Sequence, residues 1–434
     1  PSTADISSAA SDVYKRQLQE RGDLEQDSKR RWVSGPSLDW TALPAKVEGV
    51  VAERIARLGE ELTRLLTVGA VQGEQFAAEV VARVEAMSEW EAIRLLSNDL
   101  QRRHRLVSAL GLVQLGHVRL SFYTFVHHLF QQHVYASLGE AERSYLHRDV
   151  GEALETLFDG RTEEVAAQLA RHFEESGAPV KAAAYRLQAG NRAHRLSAHE
   201  EAAAHLTRGL ELITSLPEGV ERMQLELQLQ TSLGTTLIAM NGYACPEVEY
   251  TYARARELCR ALGDPPQVIP VLFGLCLFYL MHGELRTARD EGELLLQLAQ
   301  RAGDIGHELG VHFPLGQAFL MQAELERSRW HLEQVVVLYD PIRDRDLASQ
   351  QVHDPAVASL LFLAWTSWLQ GYPEQAMDKM EAALELAEEI NHPYTTAQAA
   401  LLASCCHQLL RQWPQCQAQA ESALGLSDQR HFRF

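Results

Sequence analysis

Four segments of this sequence align with one another without a gap. They are SAHEEAAAHLTRGLELI from Ser197, GELRTARDEGELLLQLA from Gly283, AELERSRWHLEQVVVLY from Ala323 and GYPEQAMDKMEAALELA from Gly371. Each opens on a small turn residue and carries a second small residue five positions on: Ala202, Ala288, Ser328 and Ala376. Apolar or small residues follow nine positions after the turn (Leu206, Gly292, Leu332, Met380) and twelve (Gly209, Leu295, Val335, Ala383). Seven residues before each turn stand Gly190, Cys276, Gly316 and Ala364. Small residues at fixed offsets on both sides of a turn let two antiparallel helices approach closely. One such hairpin cannot bury its apolar face alone, so the pattern dictates a stack of helix pairs.

The pattern resembles the tetratricopeptide (TPR) repeat. Ala202, Ala288, Ser328, Ala376, Gly190 and Gly316 are therefore expected to be the residues on which paired helices pack. Corresponding positions are spaced by 86 residues across one intervening repeat, then by 40 and 48. That period exceeds the usual 34, which calls for longer helices or loops. Weaker cognates lie around Gly242–Ala255 and Gln412–Leu424. The uncharged run Pro265–Gly283, interrupted by Pro270 and Gly274, leads directly into a repeat and reads as a buried repeat helix rather than a membrane span.

The N-terminal part has a different grammar. Leu18–Leu43 contains an alternating stretch around Trp32 and a Gly35-Pro36 break, the signature of a short hairpin followed by a linker. Pro44 suits a helix start, and Val47, Val50, Val51, Ile55 and Leu58 follow helical spacing. Helices are expected over 60–71, 75–84 and 88–103, the last opened by a Ser88/Glu91 capping box. Residues 106–125 alternate around Gly116-His117, a hairpin signal. Three helices followed by a hairpin is the order of a winged helix. The expected organisation is a mainly α chain, with a hairpin and linker over 18–44, a winged-helix domain over 45–145 and a TPR-like superhelix over 146–434.

Composition narrows the function. Forty Lys and Arg against 58 Asp and Glu give a net charge of −18, the wrong sign for gripping a phosphate backbone. The candidate recognition helix mixes Glu89, Glu91 and Asp99 with Arg94, Arg102 and Arg103, so no direct nucleic-acid contact is expected. Six cysteines in 434 residues form no disulfide framework, and no signal peptide opens the chain, so a cytoplasmic protein without membrane attachment is expected. The five lysines (Lys15, Lys29, Lys46, Lys181, Lys379) lie in no Gly-rich phosphate loop, so this chain should bind no nucleotide through a Walker A motif. Eighteen histidines include no pair three or four apart, which argues against a metal site on one helix face. Cys405-Cys406 belongs to a repeat helix, and adjacent acids such as Glu200-Glu201 and Glu388-Glu389 form solvated faces. No catalytic constellation emerges, and the chain is not expected to be an enzyme.

Longer stretches resemble one architecture. LDWTALPAKVEGVVAERIARLGEELTRLLTVGAVQGEQFAAEVVARV from Leu38 and FVHHLFQQHVYASLGEAERSYLHRDVGEALE from Phe125 are similar to the segment that follows the core of bacterial signal-transduction ATPases with numerous domains. AMNGYACPEVEYTYARARELCRALGD from Ala239 resembles their TPR-like tails, as does GELRTARDEGELLLQLAQRAGD from Gly283. Such proteins include large transcriptional activators and class III adenylate/guanylate cyclases. The resemblance implies the non-catalytic sensor region of a switch. Its repeats would receive a protein or small-molecule inducer on their concave surface, and an ATPase domain upstream in cis would hold ATP or ADP. In some relatives a winged-helix histidine touches the nucleotide phosphate; the matching position is His127, in Phe125-Val126-His127-His128-Leu129, with Val126 where Arg is usual. A hydrogen bond within the helix after the wing is the alternative role for His127, and a constitutive interaction scaffold is the alternative for the whole chain. Both ends read as artificial: Ser7–Gln17 (SSAASDVYKRQ) matches a translated transposon adapter, so Pro1–Gln17 is set apart, and the HFRF end suggests truncation.

Overall fold

A computed structural model describes residues 24–26, 32–34, 45–115, 118–242, 245–263, 267–344 and 354–430. Pro1–Gln17, Gly35-Pro36, Pro44, the Gly116-His117 turn and the terminal His431–Phe434 lie outside them. Nineteen α-helices dominate the described residues, and the chain divides into two compact units at Ala182 and Ala183.

In the first unit, β1 (Leu24–Gln26) and β2 (Trp32–Ser34) pair antiparallel, as the alternation around Trp32 predicts. After α1 (Ala45–Ala56), α2 (Glu60–Gln72) buries Leu65, Leu66, Val68 and Val71. The helix expected over 75–84 is corrected at its first turn: Gln75–Ala77 is strand β3, and α3 spans Ala78–Val84. Two contacts hold those residues extended. Phe76 lies flat on Gly69, where a Cβ would stand 3.1 Å from the ring. The Gln72 side chain accepts from Ala77 N–H at 2.9 Å, taking a backbone group that a helix would have used.

Ser88 caps α4 (Glu89–Arg94), its hydroxyl accepting from Glu91 N–H at 3.2 Å. From Leu95 to Arg103 the turns widen to the π form. The expected hairpin follows as β4 (Val107–Leu115) and β5 (Val118–Phe125), with sheet order β3-β5-β4, antiparallel throughout. Gly111 opposes Phe122 and Ala109 opposes Tyr123, leaving Leu110 as a bulge; Gly111 takes φ +109°, which a side chain would resist. Helices α5 (His128–Ser137) and α6 (Glu140–Leu157) return onto α2 and α3, and α7 (Ala166–Glu175) packs on α6. Val150, Leu154 and Phe158 are buried in this compact unit, which extends to Ala182.

The second unit takes up α8 (Pro179–Arg195) and continues as helix pairs. These are α8 with α9 (His199–Thr214), α10 (Val220–Asn241) with α11 (Pro246–Ala261), and α12 (Val268–His282) with α13 (Leu285–Ala302). Then come α14 (Ile305–Met321) with α15 (Leu325–Leu338), α16 (Pro355–Leu369) with α17 (Pro373–Ile390), and α18 (Pro393–Leu409) with α19 (Trp413–Arg430). The uncharged run forms α12, with Val271, Leu272, Leu275 and Phe278 buried in the core. Among the described residues no helix is long and apolar enough to cross a membrane.

Candidate functional site

The turns set the register. Ser197, Gly283, Ala323, Gly371 and Arg411 all take φ between +59° and +87°. The following N–H reaches back to close the helix: Ala198 to Ala193 O, Glu284 to Tyr279 O, Glu324 to Phe319 O, Tyr372 to Ser367 O and Gln412 to His407 O. This is the left-handed closure that lets one helix stop and the next start within a few residues.

Five positions on, Ala202, Ala288 and Ser328 are fully buried and Ala376 nearly so. Ser328 tolerates burial because its hydroxyl donates to Gly316 O at 2.8 Å. The residues at −7 and +9 share one space. A Cβ on Gly190 would stand 2.6 Å from Leu206 Cγ, and one on Gly316 would stand 2.6 Å from Leu332 Cδ2. In the α12–α13 pair the sizes are exchanged: Cys276 fills the space and Gly292 makes room, its would-be Cβ 3.2 Å from Cys276 Sγ. In the α16–α17 pair Ala364 and Met380 share the job. The degraded α10–α11 pair is solved differently. Tyr252 wedges its ring against both Gly234 and Gly274, where a Cβ would stand 2.7 Å and 2.5 Å away.

The same register places an unpartnered apolar row. Two residues before the turn stand Met240, Met281, Met321, Leu369 and Leu409, one in each of five consecutive pairs, and all are exposed large hydrophobics, Met321 at 57%. Buried positions explain a fold; a repeated exposed one is a surface.

His127 lies at the exposed N-terminus of α5, where its Nδ1 accepts from Leu129 N–H at 3.3 Å and its ring stacks on His128. Burial, aided by His128 and opposed by Glu74, lowers its pKa. His127 thus caps α5 in this conformation. The arginines of α4 and of the widened turns after it meet groups nearby in the same stretch: Arg94 faces Glu91 at 3.8 Å, Arg103 faces Asp99 at 4.0 Å, and Arg102 donates to Asn98.

Spacing within helices misses the histidine pairs that form between them. His147 and His172 meet at 2.9 Å between their Nδ1 atoms, and Tyr135 Oη lies 3.0 Å from His147 Nε2. His312 and His331 meet at 2.8 Å, Nδ1 to Nδ1. Burial pushes His147 and His312 down to about 4, and His172 and His331 to about 3. One ring of each pair must donate and the other accept, so both are neutral at physiological pH. Among the described residues no cluster of three or more His, Cys, Asp or Glu is arranged to hold a metal ion.

No family model matches the chain. It is 25% identical over 288 residues to an uncharacterized protein of Rhizobium meliloti (strain 1021), across 63% of this chain and 27% of that protein. The chain thus spans about a quarter of the length of the curated relative it matches. Among solved structures it is similar to a signal transduction ATPase with numerous domains carrying a tetratricopeptide repeat sensor, from Pyrococcus horikoshii. The TM-score is 0.45 at 13% identity, covering 88% of this chain and 65% of that one. A Rap protein complexed with competence and sporulation factor overlays with TM-score 0.41 at 9% identity, covering 67% and 87%. Yeast Tom70 does so with TM-score 0.36 at 13% identity, covering 87% and 77%. The chain's own geometry defines its class: a mostly helical protein whose second unit is an array of repeated helix pairs.

Proposed function

We propose that the chain is the non-catalytic sensor region of a cytoplasmic signalling ATPase, in which the repeats receive a protein or small-molecule inducer and bias a nucleotide switch carried upstream. The observation that carries a binding role is the exposed row from Met240 to Leu409, repeated at one register position over five helix pairs. Large hydrophobics kept exposed at a fixed position favour a protein occupant, since flexible methionines suit an adaptable contact surface. The first unit supports a winged-helix reading through its order: α2, β3, α3, then α4 with its widened end, then β4 and β5. Arg94 and Arg103, each facing an acid of its own helical stretch, favour a regulatory rather than a DNA-gripping role for that unit.

A ligand moves such a switch only through different affinities for its two states. The test is to extend the chain upstream in its genome, express the longer protein and compare its ATP turnover with that of a version lacking residues 183–430. The sensor reading predicts a Walker A motif upstream and a turnover that changes when the array is removed. A phosphate loop whose turnover is indifferent to the array, or no phosphate loop at all, would favour the alternative of a constitutive interaction scaffold.

A further inference from the structure

The first unit holds a cavity of about 260 Å³ lined by its own residues. Its floor is apolar, built by Leu120 and Phe122 of β5 and by Leu154 and Phe158 at the end of α6. At its rim stand Gln168 and Arg171 of α7, both exposed. Among the described residues Arg171 has no hydrogen bond or ion pair. Its Nη1 lies over Gly73, 3.8 Å from where a Cβ there would stand, so the absence of a side chain at that corner leaves the guanidinium room.

The charge pattern is unusual for this chain. The sequence carries 58 acidic residues against 40 basic ones, yet no described carboxylate lines this cavity, and Arg171 is its one permanent cation. The remaining polar lining is uncharged: Gln72, Gln75 and His172, whose Nδ1 is already committed to His147 and whose ring is neutral. An apolar floor with one unpaired guanidinium at the mouth is complementary to an anion with a hydrocarbon body. Arginine's fork suits a carboxylate, which it can hold through two parallel N–H···O bonds. The volume falls just below the roughly 300–1,000 Å³ of pockets for drug-sized ligands, so the occupant is small.

From this we infer that the cavity between β5, α6 and α7 binds a small carboxylic acid with an apolar body, its carboxylate on Arg171 and its chain on Leu120, Phe122 and Leu154. This site goes beyond the role proposed for the repeats and does not depend on it.

The experiment uses the full chain with labelled Leu and Val methyl groups, titrated with acetate, hexanoate, 3-phenylpropionate and the uncharged 3-phenylpropionamide, with methyl NMR shifts as the readout. Hexanoate or 3-phenylpropionate should shift Leu120, Leu154 and Val165 saturably, acetate far less, and Leu227 and Val311 of the repeats not at all. Arg171→Gln, at an exposed position that leaves the core intact, should weaken binding roughly tenfold to a hundredfold, the usual range for losing a charge-assisted hydrogen bond. Ala167→Phe, which plugs the cavity from its exposed rim, should abolish binding. The inference is overturned if no acid gives saturable shifts at about 10 mM, enough to fill a millimolar site. It is equally overturned if the amide binds as well as the acid, or if Arg171→Gln leaves the affinity unchanged.

Discussion

Gly190 and Leu206 occupy one another's space: a Cβ on the glycine would lie 2.6 Å from Leu206 Cγ, closer than real carbon contacts allow. Cγ is not the loose end of the side chain, so either Leu206 or the helix backbone would have to move. Gly190→Ala gains about 1 kcal/mol of helix propensity but incurs about 1–3 kcal/mol of overpacking, so a net loss of about 1 kcal/mol is expected. Adding Leu206→Ala should make the pair less unstable than the sum of the two single changes, as the exchanged sizes of Cys276 and Gly292 imply. Urea midpoints of the four proteins in the cycle measure this. Gly425→Ala in α19, where a Cβ meets nothing within 4 Å, should stabilise by up to about 1 kcal/mol.

The buried histidine pairs set an acid limb. In the unfolded chain each imidazole protonates near 6.5, whereas His312 and His331 in the fold resist protonation down to about 4 and about 3. Between those values the unfolded state binds more protons. Stability is therefore full above about pH 6.5 and declines as pH falls toward 4, by up to about 1.4 kcal/mol per pH unit for each histidine. His331→Gln should flatten this dependence by one group's share. Chemical denaturation from pH 4.5 to 7.5 checks it, and an unchanged slope in the variant would refute the assignment.

Asp354 caps α16 with Oδ1 accepting from Ala356 and Val357 N–H at 2.9 and 3.0 Å, while Tyr339 Oη donates to Oδ2 at 2.8 Å. Burial raises its pKa, so these bonds keep a costly carboxylate in place. Tyr339→Phe leaves that oxygen short of a donor and should cost about 1–3 kcal/mol. Asp354→Ala removes the cap and should cost about 0.5–2 kcal/mol. Thermal unfolding of the two variants gives both numbers.

The purified chain is expected to turn over no ATP, because none of its five lysines sits in a phosphate loop. Calorimetry finding a micromolar ATP site in this chain alone would contradict that.

What was legible in the sequence was what is periodic. Ala202, Ala288, Ser328 and Ala376 announce themselves because the same steric demand recurs at a fixed distance from a turn. Tyr252 escapes that reading, since one aromatic ring against Gly234 and Gly274 does the work done elsewhere by the repeat positions. Strand β3 escapes it because three extended residues run straight into a helix and owe their shape to Gln72, Gly69 and Tyr123, partners outside the segment. The pair His147 and His172 is invisible for the same reason. Their separation of 25 residues has no meaning until two helices are laid side by side.

The central claim is the repeat register, and hydrogen exchange on two neighbouring substitutions tests it most directly. Ala376, 2% exposed, sits where α16 and α17 approach, while Glu374, two residues earlier, is exposed. Ala376→Leu should cost about 1–3 kcal/mol, and Glu374→Leu less than about 0.5 kcal/mol. Because stacked repeats couple mainly to their neighbours, faster exchange in Ala376→Leu should be confined to α16, α17 and the adjoining pairs, with α1 to α4 unchanged. Equal effects from the two substitutions, or opening that spreads evenly into the first unit, would contradict the register and the array built on it.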